Sequence, residues 1–266
     1  MSRVDAFGKD PAVLEALRPR LDKLLDSWFR VIVEGAGHLP RDGRVILVAN
    51  HGGALPWDAL VLIAALSRGS PALSGTWVPG REVRPLVEDA VMTAPFLGTF
   101  LNRLGCVRAS QDNATRLLDR GEACLVFPEG EQGLGKNYRR RHQLQRFGRG
   151  GFVRLAVRTD TLLLPVAVVG AEDTAPLLGR VDAFSAFFAE LLPWLPVTPT
   201  FPLLGPLGLL PLPARWRIRI GEPVDAKDIV KDEADAVAVN ALATSVRDRL
   251  QRDVTDLVEQ RGGAFF

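Results

Sequence analysis

The chain has 266 residues, 47% of them hydrophobic, and 33 Lys and Arg against 31 Asp and Glu leave a formal charge of only +2. That length and apolar content predict one large core, hence a single α/β domain rather than two full ones. The near-neutral balance gives no global electrostatic signature of a nucleic-acid binder. Cys106 and Cys124 form no Cys-x-x-Cys pair, which excludes a zinc or disulfide framework and predicts buried thiols in a reducing cytoplasm.

Met1–Pro11 holds no apolar signal core. Val13–Phe29 repeats Leu14, Leu17, Leu21, Leu24, Leu25 and Trp28 at helical spacing and predicts an amphipathic helix. Arg30–Gly35 alternates as a strand, and Arg44–Ala49 reads as a second strand buried on both faces. A Gly-rich turn leads into a helix over Pro56–Leu66, with Pro56 suited to its first position. A short strand is predicted at Thr76–Val78, then a helix over Arg84–Leu104 interrupted near Pro95. Cys106–Arg108 reads as a strand, Asp112–Arg120 as a helix and Ala123–Phe127 as a strand ending in Pro128, Glu129 and Gly130. A polar loop runs to Arg149, and a helix follows from Gly150 or Gly151 to Arg158. Leu162–Val169 is a further buried strand, Arg215–Ile220 an alternating strand suited to an edge, and Ala234–Gln260 a long amphipathic helix. Such alternation predicts a mixed, partly parallel central sheet flanked by helices, with the N- and C-terminal helices packed on it. Boundaries are expected at residues 1–29 for the first helix, 30–224 for the α/β unit and 225–266 for the last helix. Leu191–Ala214 is uncharged but broken by prolines, so it cannot form one continuous spanning helix.

Three constellations could carry chemistry. His51 follows a buried strand, where open α/β sheets place ligands, and two glycines, Gly52 and Gly53, let the backbone turn before Asp58 in the next helix. A carboxylate on one imidazole nitrogen would fix the tautomer and make His51 a better base. Asp58 at a helix N-terminus is also favourable without any chemistry. Glu129 should project at the same sheet edge, although Pro-Glu-Gly can serve as a turn alone. Between Gln132 and Thr159 lie Lys136, Arg139, Arg140, Arg141, Arg146, Arg149, Arg154 and Arg158 with no acid among them. That run is either a solvated loop or an anion site. Arg149, in Gly148-Arg149-Gly150-Gly151 at a helix start, is the strongest candidate for phosphate contact.

Taken in order, these segments resemble the glycerophospholipid acyltransferase superfamily over roughly Phe29–Val224, with its monoacylglycerol/diacylglycerol-acyltransferase-like branch nearest in wording. The family's first block is His, four residues, Asp; here six residues separate His51 from Asp58. Its second block matches best at Arg108, with Arg103 as runner-up. Phe127–Gly130 reproduces the third, though Glu131-Gln132 replaces the usual Thr-Arg, and Leu163–Val169 around Pro165 matches the fourth. The resemblance implies an O-acyltransferase, with His51 as general base and Asp58 as its orienter. It also implies substrate contacts at Arg108, Glu129 and Gly130, and backbone oxyanion donors near Gly52, Gly53 or Gly130, while the basic loop is expected to add phosphate contacts at Lys136 and Arg149. The donor would be acyl-CoA or acyl-carrier protein and the acceptor a lysophospholipid-like alcohol. No metal and no cofactor beyond the acyl donor are expected, and no nucleic-acid partner. The same residues leave open a lipid hydrolase or thioesterase, or a silent lipid-binding protein. A membrane-surface role on the cytoplasmic face is expected from Phe184–Trp216, including Phe187, Phe188, Trp194 and Trp216.

Overall fold

The computed structural model describes residues 4–71, 77–94, 96–182 and 194–265. Seven strands form its main sheet: β1 (Ile32–Glu34), β2 (Val45–Ala49), β3 (Val83–Val87), β4 (Val107–Arg108), β5 (Ala123–Val126), β6 (Leu163–Val169) and β7 (Arg217–Ile220). Their order is β1-β7-β6-β2-β5-β3-β4. Every neighbouring pair is parallel except β7 with β6.

The helices that cover this sheet are α1 (Pro11–Lys23), α2 (Trp57–Arg68), α3 (Leu97–Leu104), α4 (Gln111–Asp119), α5 (Gly151–Thr159) and α6 (Ala236–Arg261). Strand alternation sorts the core into two layers. Val45, Leu47 and Ala49 of β2 pack with Leu14 and Leu21 of α1 and with Val61 and Leu62 of α2. Ile46 and Val48 face the other way, onto Leu117 of α4, Val153 of α5 and Val246 and Leu250 of α6. Caps fix where the helices start: Asp10 accepts from Ala12 N–H, Ser110 from Asn113 N–H, and Asp235 from the N–H groups of Val237 and Ala238. α1 runs on as a single π turn over Leu24–Trp28.

The structure departs from the sequence expectation in three places. Arg84–Val87 is strand, not helix: β3 inserts between β5 and β4, and helix resumes only at Asp89–Thr93 and α3. Arg84 is buried, bonding Gly105 carbonyl, Asp5 and Glu122. β7 is not an edge strand, because β1 pairs on its outer side. Trp216 is fully buried, donating from Nε1 to Thr174 Oγ1 at 2.9 Å and packing 5.3 Å from the Phe29 ring, so it is core rather than a membrane contact. The break expected near Pro95, the helix expected over 183–192 with Phe184, Phe187, Phe188, Leu191 and Leu192, and the Trp194 side chain lie outside the described residues. Among the described residues no helix is long and apolar enough to cross a membrane.

Candidate active site

β2, β5, β6 and β3 are neighbouring parallel strands whose carboxyl ends share one sheet edge. His51 follows β2, Glu129 follows β5, Glu172 follows β6 and Glu88 follows β3. Asn50 extends the β2–β6 pairing by one residue: its Nδ2 donates to Val168 carbonyl at 2.9 Å and its Oδ1 accepts from Val168 N–H at 2.7 Å. The chain therefore leaves the sheet at a fixed point immediately before His51.

The loop then folds back on itself. Asp58, fully buried, places Oδ2 2.5 Å from His51 Nδ1, and the same oxygen accepts Gly52 N–H at 3.0 Å. Its other oxygen accepts Ala59 N–H at 2.8 Å. With Asp58 Oδ2 as the acceptor, Nδ1 is the donor and Nε2 keeps its lone pair. The two extra residues are absorbed by Gly52 and Gly53. A Cβ on Gly52 would come 2.6 Å from Glu172 Cγ, and Gly53 has φ +92°. The imidazole lies stacked on Phe127, with centroids 4.3 Å apart.

Glu129 clamps this arrangement from β5. Its Oε1 accepts His51 N–H at 2.9 Å and its Oε2 accepts Gln145 N–H at 2.6 Å. Burial raises its carboxyl pKa, opposed by Lys136 and the two backbone donors. Lys136 Nζ lies 2.8 Å from Glu172 Oε1 and 3.9 Å from Glu129 Oε2. Burial works against the Glu172 carboxylate too, but His142 and Lys136 reverse that effect and hold its pKa below the ordinary value. Gly133 lets the Glu131–Leu134 turn approach: a Cβ there would sit 2.7 Å from His51 Cβ and 2.9 Å from Glu129 Cβ.

Beside Phe127 opens a cleft of about 510 Å³. Leu86, Val126, Phe127, Phe152 and Leu155 form its apolar wall, and Glu88, Ser110, Gln111, Arg149, Gly150 and Gly151 its polar lining. Arg149 is exposed on that wall at the start of α5 and makes no ion pair among the described residues. Burial, then Glu131, raises the Glu88 carboxyl pKa, while His51 opposes the rise.

Not every expected residue has the expected setting. Lys136 is buried between carboxylates instead of facing the cleft, and Glu129 spends both oxygens on backbone donors. Arg108 is exposed and paired with Asp89, which raises its pKa, and it does not line the cleft; Arg103 is exposed on α3. Two of the three backbone candidates are occupied, Gly52 N–H by Asp58 and Gly130 N–H by Phe127 carbonyl at 3.0 Å. Gly53 N–H has no partner among the described residues. Sequence reasoning missed Glu172, Gln145, Gly133 and Glu88. For Glu172 the signal was present, since it follows a buried strand legible in the sequence as His51 does, whereas Glu88 follows β3, which the sequence pattern read as helix. No group of three His, Cys, Asp or Glu among the described residues is arranged to hold a metal ion.

The sequence profile of the acyltransferase family matches residues 30–169. Proteins named Uncharacterized protein Rv0502 of Mycobacterium tuberculosis (strain H37Rv) and Uncharacterized protein ML2427 of Mycobacterium leprae are each 42% identical over 265 residues. The match spans 99% of this chain and 72% and 70% of theirs. A 1-acyl-sn-glycerol-3-phosphate acyltransferase of Borreliella burgdorferi is 22% identical over 152 residues, 53% of this chain and 52% of its own. The crystal structure of the Thermotoga maritima 1-acyl-sn-glycerophosphate acyltransferase, PlsC, superposes with a TM-score of 0.57 at 19% identity, covering 92% of this chain and 79% of that one.

Proposed function

The chain belongs to the acyltransferase family, and from that premise we propose that it moves a fatty acyl group from an acyl thioester to a hydroxyl of a lysophospholipid or related glycerolipid. The observation that carries this reading is the 2.5 Å contact between His51 and Asp58, made across a loop two residues longer than the pattern it resembles. His51 Nε2 takes the proton of the acceptor hydroxyl as its oxygen attacks the thioester carbonyl carbon. The C–O bond forms, the C–S bond breaks, and the imidazolium returns its proton to the leaving thiolate. Asp58 stabilises the imidazolium, and Gly53 N–H is the remaining backbone candidate for the carbonyl oxygen. The cleft beside Phe127 suits a chain with an anionic head, its apolar wall for the chain and Arg149 with the α5 N-terminus for phosphate. The donor is acyl-CoA or acyl-carrier protein, with no other cofactor, and the acceptor class takes support from the name of the Borreliella relative.

The enzyme meets its lipid at the cytoplasmic surface of a membrane. Leu203, Leu204, Leu207 and Leu210 are 84%, 59%, 69% and 62% exposed in a stretch without charge, an arrangement that favours insertion at the headgroup boundary. The test is mass spectrometry of lipids extracted after incubating purified protein with acyl donors and candidate lysolipids. Acylated acceptor is expected, and its loss in folded His51→Ala. Free fatty acid without acylated acceptor would mean a hydrolase, and transfer by His51→Ala would remove His51 as the base.

A further inference from the structure

The buried cation behind the dyad has no part in the chemistry above. The Lys136 side chain is 2% exposed and that of Glu172 12%. Burying an ammonium group is costly unless carboxylates pair with it, and here two lie beside Lys136. Both lead to His51. Glu129 holds the His51 N–H, and Glu172 packs so closely on Gly52 that no side chain fits between them. Glu172 also accepts from His142 N–H at 2.7 Å, with the His142 ring nitrogen Nδ1 3.2 Å away. Its neighbour Asp173 accepts from Tyr138 Oη at 2.8 Å and pairs with Arg261 at 2.6 Å. The segment from Lys136 to His142 is thus tied down onto the turn after β6.

We propose that Lys136 and Glu172 are a positioning pair, which fixes Glu129 and the Gly52 backbone and through them the aim of His51. This rests on the acyl-transfer reading for its kinetic test, but the geometry can be read without substrate. Glu129 sets the pH dependence. The charged and titratable groups facing it are Lys136 from the loop after β5 and His51 from the loop after β2, with Glu172 and His142 behind Lys136. Burial raises the Glu129 pKa and Lys136 lowers it, so removing Lys136 lets Glu129 take a proton at a higher pH. A protonated Glu129 must give up an acceptor site, and the clamp on Gln145 or His51 loosens as pH falls.

The decisive variants are Lys136→Met, Glu172→Gln and the double replacement Lys136→Met with Glu172→Leu. The double variant leaves no lone charge from the pair inside, so folding is preserved where the single Lys136→Met fails. In Lys136→Met and in the double variant, kcat should fall by at least roughly tenfold with donor KM within about twofold, and the acid limb of kcat should move toward neutral pH. Glu172→Gln keeps Lys136 beside Glu129, so its acid limb should stay in place. Independently of activity, the downfield proton resonance of the His51–Asp58 hydrogen bond should broaden or vanish in the double variant. A folded double variant with that resonance sharp and unshifted overturns the proposal whether or not the wild type transfers acyl groups. Wild-type kcat and pH profile in the double variant overturns it equally, whereas an inactive wild type with the resonance lost in the variant rejects only the acyl-transfer reading.

Discussion

Asp58 Oδ2 serves two donors at once, the His51 imidazole and Gly52 N–H. Asparagine cannot reproduce this setting: with its oxygen toward His51 and Gly52 its amide hydrogens face the Ala59 N–H, turned the other way they face the ring and force the other tautomer, and neither placement supplies a negative charge. Asp58→Asn should therefore lower kcat by roughly 10²–10⁴-fold while leaving donor KM within about twofold, as steady-state kinetics would show. Gly133→Ala tests the same geometry sterically. Its methyl would meet His51 Cβ and Glu129 Cβ inside contact distance, so the turn must shift. Activity should fall well below wild type although Gly133 lies outside the proposed catalytic pair, and circular dichroism should be unchanged. His51, Asp58 and Glu129 were legible because each sits in a short local pattern whose chemistry is visible in order. Gly133 and Gln145 were not, because what gives them a role is a neighbour far along the chain.

Among the elements, the buried strands β2, β5 and β6 were readable from continuous apolar runs. β3 was not, because Arg84 and Pro85 break that pattern, and only tertiary partners such as Asp5 and Glu122 make a buried arginine tolerable. β7 was found but misplaced, since strand order depends on which edge β1 joins, and no local signal carries that. Its position decides what Trp216 does. The ring fills the space between Phe29 and Gly170, where an added methyl on the glycine would touch it at 2.6 Å. Trp216→Ala should cost about 3–5 kcal/mol and lower the unfolding midpoint by roughly 10 °C. Thermal denaturation checks this, and liposome binding by the folded variant should be unaltered.

For the molecule as a whole, the exposed leucines after residue 200 offer the clearest separation between surface and core. Replacing Leu203, Leu204 and Leu207 together with Ser removes little buried area, so the unfolding midpoint should hold within about 2 °C. Sedimentation with phospholipid vesicles should fall at least severalfold, and detergent should release the wild type more readily than salt does. Equal sedimentation of the triple variant would place membrane contact elsewhere.

The site is stitched from distant parts of the chain. The His51–Glu129 bond joins positions 78 residues apart, and the Asn50–Val168 pair spans 118. Parallel strands cannot pair until the intervening crossovers have closed, so such contacts form slowly while local helices form fast. After dilution from denaturant, far-ultraviolet ellipticity from α1 and α6 should recover first. The near-ultraviolet signal of packed Trp216 and the return of turnover should follow together, in one slower phase. Turnover would then serve as a folding clock: the proposed base is held by residues from distant strands, so activity should appear only once the sheet is complete.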